Sequence, residues 1–146
     1  MTNQTIIKGA FISGIINAII NGIINWFQLD KTKNILLTTD VISTHEHTVF
    51  GGAVILGTTL AFILTSIAYL TTKTDDKPTY FPKVFLLALK QSIFAFGVIT
   101  IFALLFQRIF GSYEVAAFHA AVITGCIAGL AAGIVEYTTK TSLLKN

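Results

Sequence analysis

Four stretches of the chain, residues 6–27, 49–70, 91–110 and 115–135, carry almost no charge. Each is close to the roughly 20 residues needed to cross the hydrocarbon core of a bilayer. In lipid, every backbone N–H and C=O must find a partner inside the protein, so isolated runs of this length span only as helices. The chain therefore reads as an all-α integral membrane protein. It forms a four-helix transmembrane bundle that makes one domain of residues 1–146. Composition agrees: 53% of residues are hydrophobic and 12% are charged, about half the charged fraction of a soluble domain.

The few charges are unevenly placed. With an even number of spans both termini share a side, and Lys8, Lys73, Lys77, Lys83, Lys90, Lys140 and Lys145 lie there, against Lys31, Lys33 and Arg108 opposite. The positive-inside bias makes that side cytoplasmic and points to the plasma (inner) membrane. The net charge of +3 belongs to these flanks and gives no reason to expect a nucleic-acid partner. No secretory leader is expected, because Lys8 makes a thin basic region and no small-x-small cleavage site follows. Lys90 has two readings: at the interface, with residues 80–90 running along the cytoplasmic surface, or inside the hydrocarbon as a functional lysine. Its long stem favours the interface. Pro82 suits the first position of the third helix.

The first span has the most regular pattern. Residues 10–25 read AFIS-GIIN-AIIN-GIIN, each tetrad opening with a small residue and closing with Ser13, Asn17, Asn21 or Asn25. A four-residue step drifts only about 40° per repeat on a helix. The small and polar rows therefore share one half, and Ile12, Ile15, Ile16, Ile19, Ile20, Ile23 and Ile24 take the other. The isoleucines should face lipid. The asparagines should either bond between helices or line a hydrated path. On the second span His47, Gly51, Thr58 and Thr65 form a stripe that faces them naturally across the hairpin, and the first-span row is expected to pack on the second or the fourth span. On the fourth, Ala117, Ala121, Gly125, Gly129 and Gly133 form a small-x-x-x-small ladder for close packing, within the bundle or between copies.

Titratable residues gather toward the outer side: His45, Glu46, His47, Glu114 and His119, with Arg108 nearby. His119 and His47 are the candidate metal ligands, and His119, one turn inside its span, should face protein. Ser43 and Glu46 fit a capping box for the second helix. In a helix His45 and His47 would point about 200° apart and could not share one ion. No cofactor is named by any motif. The single cysteine, Cys126, excludes an intrachain disulfide. G-x-S-x-G, H-E-x-x-H, phosphate loops and paired carboxylates within a span are all missing, which leaves little support for an enzyme.

Glu46-x-x-x-Phe50-x-x-Ala53-Val54-Ile55-x-Gly57 recurs 68 residues later as Glu114-x-x-x-Phe118-x-x-Ala121-Val122-Ile123-x-Gly125. The two hairpins are thus candidates for a parallel repeat, with chance the competing reading, since Ala, Val, Ile and Gly abound in membrane helices. Residues 34–42, in the long outer loop, suit a short strand or an interfacial segment. The expected function is that of an oligomeric transporter- or channel-like subunit, passing or binding a small polar solute or ion through Asn17, Asn21, Asn25, Thr58, Thr65 and the outer titratable cluster. The alternative is a non-catalytic accessory or structural subunit of a larger membrane complex, and the third reading is a metal-dependent membrane enzyme. Expected partners are the lipid bilayer and further copies or subunits.

Overall fold

The structure, a computed structural model, describes residues 2–38, 48–73 and 77–144. Their order is α1 (Asn3–Gln28), β1 (Asn34–Leu36), α2 (Val49–Thr71), a lead-in turn (Tyr80–Val84), α3 (Phe85–Phe110), β2 (Glu114–Ala116) and α4 (Ala117–Leu144). Four helices among them are long and apolar enough to cross a membrane.

The helices are held by small side chains. Ala53, Ala61, Ala68, Ala88, Ala103, Ala120, Ala128 and Ala132 are fully buried, while most isoleucines and phenylalanines point outward. In water this would invert the usual partition. It is ordinary for helices that approach closely in an apolar medium. α1 packs on α4, α4 packs on α2, and α2 packs on α3, whereas α3 and α4 barely meet. The helices therefore run in the spatial order α1–α4–α2–α3. The row of small residues on α1 explains its choice of partner: a Cβ on Gly14 would stand 3.0 Å from the Gly129 carbonyl oxygen, and one on Gly22 3.7 Å from Gly125 Cα. The ladder on α4 thus serves the bundle. The partnership expected between the α1 asparagines and the α2 stripe does not form, because the small row beside those asparagines carries α1 onto α4.

The end with fewer lysines is closed by backbone pairing. β1 and β2 run antiparallel with Ile35 opposite Val115 and Leu36 opposite Glu114. Leu37 extends the link, its N–H donating to the Tyr113 carbonyl (2.7 Å) and its own carbonyl accepting from Phe50 N–H (3.0 Å). Leu37 is buried against Val49, Phe50 and Ala103. The turn before β2 needs a positive φ, which Gly111 supplies at 70°. In the loop after α1, the Thr32 hydroxyl and N–H both donate to Asp30 and hold its carboxyl below its ordinary pKa.

One helix start departs from expectation and one agrees with it. The N-cap of α2 is Thr48, whose hydroxyl accepts from Gly51 N–H at 3.0 Å, and not Ser43. Phe81 is extended and followed by helical backbone from Pro82, as expected. That helix then continues through Lys90, with Val84 and Ala88 on its buried face. Lys90 itself is exposed.

Candidate functional site

On α1 the isoleucines from Ile12 to Ile24 are exposed, and the Ser13–Asn17–Asn21–Asn25 row is half-buried. The Asn17 amide donates to the Ser13 carbonyl and the Asn21 amide to the Asn17 carbonyl, each at 2.9 Å. These bonds stay within the helix. The row lies on a flank of α1 that α4 covers only in part. Threonines on α2 behave alike: Thr58 donates to the Val54 carbonyl and Thr65 to the Ala61 carbonyl, both at 2.7 Å.

The outer titratable residues are not drawn together among the described residues. Glu114 is exposed on β2 opposite Leu36. His119 is exposed rather than turned inward, with its ring 5.8 Å from that of Phe118. The reason is angular: α4 buries the face of Ala117, Ala120, Ala121 and Thr124, and His119 lies about 200° from Ala117. His45, Glu46 and His47 lie outside the described residues. Among the described residues, no three His, Cys, Asp or Glu side chains stand close enough to share a metal ion.

Sequence reasoning missed the most sheltered charges. Glu136 and Lys140 on α4 form an ion pair, each side chain about 11% exposed. Gly9 of α1 faces the pair, since a Cβ there would lie 3.7 Å from Lys140 Nζ. One signal was available in E-x-x-x-K, the i,i+4 spacing of a helical ion pair. The pair lies past residue 135, where the sequence reading ends the fourth span, on the part of α4 that continues to Leu144. Nearby, the Gln91 amide of α3 donates to the Thr138 hydroxyl of α4 at 2.7 Å, bridging two helices that otherwise scarcely touch.

Between α3 and α4 this separation leaves an apolar groove of about 410 Å³, lined among others by Gln91, Phe94, Phe102, Ile123, Leu130 and Ile134. Comparison with family models, curated proteins and solved structures returns no match.

Proposed function

We propose that the chain is an integral membrane protein that acts as a subunit of a homo-oligomer or larger membrane complex, joined through the asparagine flank of α1. One observation carries this reading: the Ser13–Asn17–Asn21–Asn25 row remains half-exposed after α1 has packed on α4. Each intrahelical bond uses one amide donor and leaves an acceptor oxygen to be met. At membrane depth lipid cannot meet it, but a facing helix can. The exposed isoleucine face supports the membrane reading, as does the concentration of lysines at one end, which we take as cytoplasmic together with both termini. The accessory role gains over solute passage because both asparagines engage their own helix and the α1–α4 contact is closed by backbone.

Passage of a polar solute is the second reading, and the same row favours it at one place only, the junction between copies. Cysteines at positions 17 and 21, in a Cys126→Ser background, would react with small aqueous reagents in a hydrated junction and stay silent in a packed one.

A repeat of two hairpins is part of the proposal. Val49 and Ala117, the first residues of α2 and α4, are 68 residues apart, the offset of the sequence match. Each outer helix packs on the other half's inner helix, α1 on α4 and α3 on α2. β1 and β2, the strands in the outer connections of the two hairpins, pair with each other.

The test begins with carbonate washing of membranes, which should leave the chain in the pellet. Native mass spectrometry should then give multiples of 15.8 kDa or a larger complex. Interhelical polar contacts are each worth about 0.6–1.7 kcal/mol, so the Asn17→Leu/Asn21→Leu double variant should weaken assembly about tenfold. A monomeric wild type, or an assembly indifferent to both substitutions, would overturn the reading.

A further inference from the structure

We infer that the α3/α4 groove is a lipid site, holding one acyl chain of an anionic phospholipid whose headgroup lies at Lys90. The inference rests on the membrane reading above.

The groove exists because α3 and α4 both lean on α2 and leave a gap between themselves. From Gln91 to Phe102 its α3 wall spans 11 residues, about 17 Å of helix axis. The slot is apolar along almost all of that length, which suits an extended acyl chain. Left empty, the walls would lose their dispersion contacts on one side, and at this depth the surrounding medium is itself hydrocarbon.

The two ends differ. Toward the outer side the lining is aromatic and aliphatic, with Phe50, Phe102 and Ile123. At the lysine-rich end it stops at the Gln91–Thr138 hydrogen bond, a polar crossbar between the two helices. The exposed Lys90 is the residue before Gln91, and Lys83 lies two turns nearer the same end. An apolar slot ending in a polar crossbar beside lysines matches an acyl chain, then a glycerol ester, then a negative headgroup.

Purified protein is exchanged into nanodiscs of phosphatidylcholine containing phosphatidylglycerol, released, and weighed by native mass spectrometry. Wild type should retain phosphatidylglycerol, near one per chain, over phosphatidylcholine. Ala131→Phe, which fills the groove from α4, should lower retention about tenfold. Ile55→Phe, on an exposed position of α2, should leave it unchanged. Lys90→Gln should keep a bound lipid but lose about fivefold preference for the anionic headgroup. Equal retention in Ala131→Phe and wild type would overturn the inference. So would a lipid-free dimer abolished by Ala131→Phe, which would put a second copy in the groove. Failure of the membrane reading looks different, because the chain would then leave the membrane pellet on carbonate washing.

Discussion

Replacing Gly129 with alanine should destabilise the fold by about 2 kcal/mol, although alanine is the better helix former by about 1 kcal/mol. An added Cβ would lie 2.7 Å from the Gly14 carbonyl oxygen and 2.8 Å from Ala18 Cβ. Those atoms belong to the backbone, or to the first side-chain carbon, of a straight helix, so no rotamer change makes room. Overpacking of this kind costs about 1–3 kcal/mol. Gly125→Ala should behave alike, with the Ala18 carbonyl oxygen at 2.6 Å and Gly22 Cα at 3.1 Å. A valine at either position should separate α1 from α4 outright. Gly52 and Gly97 provide the control, since a Cβ at either meets nothing within 4 Å. Alanine at those two positions should be neutral or stabilise by about 0.5–1 kcal/mol. The lone tryptophan is well placed to follow the outcome: Trp26 of α1 stacks edge-on to Phe118 of α4 at 6.1 Å, so its fluorescence reports the docking of these two helices during denaturant unfolding in detergent. Equal stabilities for Gly129→Ala and Gly97→Ala would sink the close-contact account.

Much of this packing was readable in the sequence, because glycine and alanine at four-residue spacing have one dominant physical meaning in an apolar helix. The rows Gly14–Ala18–Gly22 and Gly125–Gly129–Gly133 were both visible, as was the outward isoleucine face. That they meet each other was not. A small row fits any other small row, and the sequence leaves α2 and α4 both open as the partner of α1. Pairing is settled by which two rows interlock at full length, a three-dimensional property. The strand pairing of Ile35 with Val115 was half legible: residues 34–42 suit a strand, but the partner sits just beyond Gly111, in three residues too few to carry a strand signal of their own. For the candidate site the sequence exposed residue types and hid their directions. Asn17 and Asn21 were conspicuous, yet their bonds to their own helix depend on rotamers. His119 drew attention as a histidine inside a span, and one step of helical phase puts it on the exposed side. Glu136 lies just past residue 135, where hydropathy ends the fourth span, on a helix that continues to Leu144.

Breaking the Glu136–Lys140 pair should have the second large effect, and an asymmetric one. Both side chains are about 11% exposed, so water screens the pair weakly and neither charge is solvated well when left alone. Lys140→Met would strand the Glu136 carboxylate on a short side chain between α1 and α4, at a cost of about 3 kcal/mol. Glu136→Leu should cost less, about 1–2 kcal/mol, because a lysine stem can carry its ammonium toward the helix end. Replacing both together removes the charges with their desolvation penalty, and apolar substitutes for sheltered pairs are often neutral. The double variant Glu136→Leu/Lys140→Met should therefore be nearly as stable as wild type, giving a coupling of at least about 2 kcal/mol in the thermodynamic cycle. Gly9 enters the same balance, since Lys140 Nζ occupies the space above it. Gly9→Leu should push the ammonium away and reproduce part of the Lys140→Met loss. The comparison pair is Lys33–Asp30, with side chains 76% and 49% exposed, whose disruption should be close to silent. Urea unfolding of the four α4 and α1 variants in detergent reads all these differences. If the two single losses simply add in the double variant, Glu136 and Lys140 do not depend on each other, and the pair is a surface contact that happens to lie in a crevice.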